Sequence, residues 1–205
     1  KLKILHVIAD LKPSSGGPPK AVMEMCSALV SAGHDVSIFT TDIAESGRMD
    51  VSTEGSILEN GVKIHYFHFG LFRKYTISFA LAMGLKKEIC NYDIVHIHSV
   101  YEFHTIVASY FCRKYGVPYL IRPHGSLDPY LRNQQKLKKL FFLKLVGKRS
   151  LNHAAAVHYT AEEEKRLAHD QLELISPAVI IPLGIDLEEF DDLPEKGVFR
   201  KSYPE

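Results

Sequence analysis

The chain has 205 residues, 46% of them hydrophobic, which suits one large domain with a substantial core. Its 25 Lys and Arg balance 24 Asp and Glu, so the overall charge recruits neither nucleic acid nor an acidic partner, and any such surface has to be local. The three cysteines, Cys26, Cys90 and Cys112, are far apart and in apolar helical settings; this argues against a disulfide framework or zinc site and for buried free thiols in a reducing compartment.

In chain order, Leu2 to Ala9 is an apolar run too short for a signal peptide or membrane span, and reads as a buried strand. A loop holding Gly16 and Gly17 follows, then Pro18 and Pro19, which suit a first helical turn, then a helix with Ala21, Val22, Met25, Leu29 and Val30 on one side. A helix N-terminus behind such a loop suits an anion, yet neither a Gly-x-Gly-x-x-Gly fingerprint nor a phosphate loop is present, so a structural turn is an equal reading. Asp35 to Thr41 is the second strand. Residues 42 to 60 lack periodicity and read as a long surface excursion before a third strand, Val62 to Phe67. Phe69 to Tyr75 mixes aromatics with two bases, as a core edge or a lipid contact would, ahead of a helix from about Thr76 to Cys90.

Tyr92 to His98 is the fourth strand, and Ser99 to Glu102 leads into a helix over Phe103 to Tyr115. His96 and His98 share one strand face, with Glu102 and His104 close by. No third ligand shows recognisable metal spacing, so no metal is expected, and His98, at the strand's C-terminal end, is the functional member of the pair. The fifth strand, Tyr119 to Arg122, delivers a loop in which Pro123 and Pro129 stiffen the ends while His124, Gly125, Ser126 and Asp128 lie between. It reads either as the floor of a site or as a connection in which Ser126 or Asp128 caps the next helix. From Asn133 to Arg149 a basic helix has apolar positions on more than one side, so it is buried on two sides, or packed on one and membrane-facing on the other. Ala154 to Thr160 is a sixth strand, with Thr160 as N-cap to Glu162, Glu163 and Glu164, and Ala178 to Pro182 a seventh. Beyond Asp186 the text becomes charged, with Pro194, Gly197 and Pro204, which divides the chain into a domain at 1–186 and a linker at 187–205 leading onward.

This alternation predicts an α/β fold: a single doubly wound, Rossmann-like, mostly parallel sheet with helices on both faces. Its C-terminal strand ends would gather Gly16–Gly17, His98 to Glu102 and His124 to Asp128 at one edge.

Five stretches in register carry a family resemblance: Gly16-Gly17 opening a helix, Ala32-Gly33-His34-Asp35-Val36, Tyr92 to His98, Arg122-Pro123-His124-Gly125, and Ile181 to Asp186. In that order they resemble the N-terminal half of the family 4 ("group 1") glycosyltransferases of GT-B fold. The resemblance implies metal-independent, retaining transfer of a sugar from a nucleotide-sugar donor to a glycan or lipid-linked acceptor, in a cleft between two Rossmann-like domains. The nucleotide-sugar is a substrate, so no cofactor is implied, and no nucleic acid. Carried across, His124 would contact the transferred sugar as the catalytic residue. Gly16, Gly17, Gly125 and Ser126 would approach the donor, and His98, Ser99, Tyr101, Glu102, Arg122 and Asp128 would line the acceptor side. The family's two glutamates eight residues apart have no counterpart here, so a C-terminal domain is expected to supply them, and the chain alone is expected to be inactive. The free thiols suit a cytoplasmic location, and Phe69 to Tyr75 with the basic helix near Lys136 to Arg149 suits peripheral contact at the inner membrane face. Pro19, where many members carry Glu, and Leu183, where many carry Asn, depart from the pattern. A GT-B-like epimerase, an inverting transferase using Glu102 or His98 as base, and a non-catalytic nucleotide-binding module are the competing readings.

Overall fold

The computed structural model describes residues 1–70, 76–130, 136–184 and 196–203. Residues 71–75 of the aromatic stretch, the start of the basic helix at Asn133 and the domain boundary at Asp186 lie outside the described residues. Strands β1 (Lys3–Val7), β2 (Asp35–Thr41), β3 (Ile57–Glu59), β4 (Val62–Phe67), β5 (Ile94–His98), β6 (Tyr119–Arg122), β7 (Ala156–Tyr159) and β8 (Ala178–Ile180) form one sheet. Their order is β3-β4-β2-β1-β5-β6-β7-β8, parallel except at the β3–β4 pair. The apolar text of β1 and β2 follows from this place: inside a parallel sheet both strand faces are covered.

Two cores form on the two faces. Helix α1 (Gly17–Ser31) sets Val22 and Cys26 against Ile8, Val36, Ile38 and Ile64. On the other face lie α2 (Phe79–Glu88), α3 (Phe103–Tyr115), and α4 (Lys136–Phe142), which runs through a π-helical turn into α5 (Lys148–Asn152). Their Leu81, Leu85, Ala108, Cys112 and Leu151 pack on Leu5, Val7, Val95, Ile97 and Ile121. Each large side chain buried this way contributes about 1.5–3 kcal/mol. Helix α6 (Glu162–Lys165), also extended by a π-helical turn, joins β7 to β8. Gly84 sits inside α2 despite its low helix propensity because a Cβ there would lie 2.4 Å from the Phe67 ring. Beside α1 a groove of about 980 Å³ opens over β1, β5, β6 and β7, lined by Ile4, Met25, Leu29, Ile94, Leu120 and Ile181.

Four expectations need correction. The excursion at 42–60 contains an eighth strand, β3, turned into β4 by Asn60-Gly61 with φ of 49° and 78°, as a tight hairpin turn requires. Its start is anchored, since the buried Asp42 carboxylate accepts from Phe69 N–H at 2.8 Å and His68 Nδ1 at 2.6 Å. Cys90 is exposed, whereas Cys26 and Cys112 are buried and free, and burial pushes the Cys112 thiol up to about 12. Thr160 is not the N-cap of α6: Ala161 holds that place without a side-chain bond, and the Thr160 hydroxyl donates to Glu164 instead. Within the stretch read as linker, Val198–Ser202 is helical (α7).

Candidate functional site

Sheet order sets the C-terminal ends of β1, β5 and β6 side by side, and the three loops of interest leave from them. Gly16 and Gly17 follow β1, Ser99 to Glu102 follow β5, and His124 to Asp128 follow β6. Gly16, at φ 85° and ψ −146°, holds a conformation essentially reserved for glycine. The helix it opens has fewer free amides than its position suggests, because Pro18 and Pro19 carry no N–H and the Gly16 N–H donates to the Pro13 carbonyl; the Gly17 N–H is what its first turn offers an anion.

The other two exits are strained. Ser99 has φ 73° and His124 φ 53°, in the left-handed region that costs a side-chain-bearing residue about 1–2 kcal/mol. The His124 conformation is held from several directions. Its Nε2 pairs with His98 Nδ1 at 2.9 Å, and the next residue, Gly125, donates its N–H to Glu164 Oε1 at 3.0 Å. Within the loop the Ser126 hydroxyl donates to the Pro123 carbonyl at 2.7 Å, and Asp128 accepts from Tyr130 N–H at 2.8 Å. Ser126 and Asp128 therefore build the loop, so the capping reading holds for Asp128.

Register explains the polar neighbours. His6 pairs with His96, and His98 with Arg122, so the four side chains share the sheet face that carries α1. His6 Nδ1 lies 3.0 Å from His98 Nε2. His158 on β7 donates from Nε2 to the Ile181 carbonyl at 3.0 Å, and its Nδ1 lies 3.4 Å from His96 Nε2. Burial pushes His6 and His124 down to about 3, with His158 adding to the effect at His6, and Arg122 and then His158 at His124. Burial likewise holds His96 and His98 well below the usual imidazole range, so these rings are neutral at pH 7.

Ring nitrogens of His6, His96 and His98 lie within 4.8 Å of one another, a grouping a cation could in principle bridge. The third member is His6; His104 instead donates to the His98 carbonyl at 2.6 Å. The chemistry of the set is poor for a dication. It contains no carboxylate, and the Arg122 guanidinium on the same face is buried, its Nε and Nη1 without hydrogen-bond partners among the described residues. Tyr101 and Glu102 engage a different neighbourhood: Tyr101 packs 5.6 Å from Phe142 and under Lys139, while Glu102 accepts from the Thr76 hydroxyl at 3.3 Å.

Sequence reasoning missed His6, His158 and Glu164. Only Glu164 left a usable signal: an acid at the third helical position reaches back to the N–H ahead of the helix, and Glu164 accepts from Thr160 N–H at 2.8 Å.

The family model for Glycosyltransferase Family 4 matches residues 15–189. Anabaena HepE in complex with UDP and glucose superposes with a TM-score of 0.63 at 15% identity, over 98% of this chain and 50% of that one. Sucrose-phosphate synthase from Thermosynechococcus elongatus gives 0.62 at 14%, over 92% and 49%. UDP-GlcNAc 2-epimerase from Methanocaldococcus jannaschii gives 0.56 at 9%, over 88% and 45%. Such identities establish a shared fold, the Rossmann-like half of GT-B proteins, and this chain spans about half the length of the structures it matches. No curated protein matches it.

Proposed function

We propose, from the premise that the chain belongs to Glycosyltransferase Family 4, that it is the acceptor-side half of a GT-B enzyme transferring a sugar from a nucleotide-sugar donor to a glycan or lipid-linked acceptor. Transfer proceeds with retention and needs neither metal nor cofactor. The observation that carries this reading is the convergence of three loops at the ends of neighbouring parallel strands, with the strained, neutral His124 among them.

The chemistry asked of such a half-site is modest. As the bond to the departing diphosphate lengthens, positive charge grows on the sugar ring and negative charge on the leaving group, so catalysis is positioning plus electrostatic stabilisation. A ring whose pKa lies near 3 is no proton source at neutral pH; His124 instead orients the transferred sugar through a hydrogen bond. Gly16 and Gly17 let the backbone approach the donor, and a second domain supplies the remaining grip on the nucleotide and phosphates. An inverting mechanism with His98 as base fits less well, because both its ring nitrogens are engaged by His6 and His124. NMR of the product's anomeric configuration from the complete enzyme tests this: retention is expected, and inversion overturns it.

The acceptor side extends to a membrane surface in this reading, at the cytoplasmic face. No helix among the described residues is long and apolar enough to cross a membrane. On α4 and the turn after it, however, Leu137, Leu140, Phe141 and Leu145 are all more than half exposed, with Lys144 and Lys148 beside them. An exposed apolar stripe flanked by bases suits an anionic bilayer. Salt-sensitive co-sedimentation with anionic vesicles is expected, and its absence removes this part of the proposal.

A further inference from the structure

Three imidazoles form a line from the sheet to the loop. His6 Nδ1 lies 3.0 Å from His98 Nε2, and His98 Nδ1 lies 2.9 Å from His124 Nε2. His6 and His98 have no exposed surface and His124 is half-buried. The groups facing the line are His96 from β5, Arg122 from β6 and His158 from β7, with Glu164 of α6 acting on Arg122 and His158. His96 and His158 form a separate pair. The Ile181 carbonyl can only accept, so His158 Nε2 carries the proton and its Nδ1 accepts from His96 Nε2–H.

A neutral imidazole has one N–H and one lone pair, so three rings bonded in line allow two self-consistent proton patterns. In the first, His6 Nδ1–H donates to His98 Nε2, His98 Nδ1–H donates to His124 Nε2, and His124 keeps an N–H at Nδ1 for a ligand. In the second every proton moves to Nε2, the bonds reverse, and His124 presents a lone pair at Nδ1. The patterns differ at the far end, at His6 Nε2, which is buried and has no hydrogen-bond partner among the described residues. The second pattern leaves a bare N–H donor there; the first leaves only a lone pair. Orphaned buried N–H groups are the rarer of the two in folded proteins, so the first pattern is favoured.

We propose that His6 and His98 are positioning residues that lock His124 as its Nδ1–H tautomer, so that the loop meets its ligand as a hydrogen-bond donor aimed at an oxygen acceptor. The lock rests on the proposed sugar-transfer site only for the identity of that ligand; the tautomer itself follows from the three rings.

The test is a two-bond 1H–15N correlation spectrum of the 205-residue chain, labelled with 15N-histidine, at pH 7. His6, His98 and His124 are expected as Nδ1–H rings with bare Nε2. His6→Phe removes the first donor but keeps an aromatic ring, and is expected to release His124 toward the Nε2–H form. His6→Gln, whose amide can donate to His98 Nε2, is expected to restore Nδ1–H. A wild-type His124 in the Nε2–H form, or a His6→Phe spectrum with His124 unchanged, overturns the proposal. If His6→Phe does not fold, the wild-type spectrum decides alone. The locked spectrum together with a complete, two-domain protein that turns over no nucleotide-sugar would sink the transferase reading and leave the lock standing, whereas sugar transfer by the complete enzyme with an Nε2–H His124 would do the reverse.

Discussion

Glu164→Ala removes a carboxylate that accepts Gly125 N–H at 3.0 Å, Thr160 N–H at 2.8 Å and the Thr160 hydroxyl at 2.9 Å. Hydrogen bonds to a charged group contribute about 1.5–3 kcal/mol each, but water replaces part of that at a half-buried site and bonds to one carboxylate do not add independently. Freeing the loop also lets His124 relax from φ 53°, returning about 1–2 kcal/mol of strain. The net loss is then about 2–4 kcal/mol, and with a urea dependence of about 2 kcal/mol per molar the unfolding midpoint falls by about 1–2 M. Glu164→Gln keeps one acceptor oxygen and should fall between wild type and Ala. Glu163→Ala is the control: its exposed side chain pairs with Arg166 on the helix surface, and only the small loss of a first-turn acid, a midpoint shift of about 0.5 M or less, is expected. If Glu164→Ala and Glu163→Ala unfold together, Glu164 is not the clamp that holds the loop.

Further expectations follow from backbone geometry and from burial. Gly61→Ala puts a Cβ 2.7 Å from Val30 Cγ1 at φ 78°, whereas Gly116→Ala at φ 72° meets open space; the first should lose about 2–3 kcal/mol and the second about 1–2 by thermal unfolding, and equal losses would contradict the Val30 contact. His6 and His124 titrate near 3 when folded but near 6.5 when unfolded, with His96, His98 and His158 displaced the same way. The unfolded chain therefore binds more protons between those values, so stability is full above about pH 6.5 and falls as pH drops toward 3, by up to about 1.4 kcal/mol per pH unit per histidine. The urea midpoint should be clearly lower at pH 5 than at pH 7, and an unchanged midpoint would contradict a neutral histidine line. The 205-residue chain alone should transfer no sugar in a radiolabelled-donor assay, and measurable turnover would remove the need for a second domain.

The parts of this fold legible in the sequence were those written locally. The strands at Asp35–Thr41, Val62–Phe67 and Tyr119–Arg122 and the helix at Phe103–Tyr115 came from short apolar runs punctuated by Gly and Pro, and they are where the text put them. Strand β3 escaped because its three residues show no alternation, although Asn60-Gly61 is a strong hairpin signal. The strand-end rule found the His124 loop and His98. His6 stayed hidden because nothing in an apolar strand says which strand will lie beside it; only the register sets His6 next to His96 and within reach of His98. In the sequence Glu164 reads as complementing a helix dipole, which is true of its position but silent about a partner 39 residues away. Burial of the Arg122 head group was equally unreadable, since it depends on the packing of β6 between β5 and β7.

Whether the His124 loop handles the transferred sugar is read from the turnover of nucleotide-sugar by the complete enzyme with His124→Ala, beside its urea midpoint. Turnover is expected to fall by about 100-fold or more, since an oriented contact to the reacting group is lost, while the enzyme stays folded with its midpoint lowered by no more than about 1.5 M, the effect of leaving the buried His98 Nδ1 without its partner. Wild-type turnover in a folded His124→Ala enzyme would contradict that role and return the loop to a helix-capping connection.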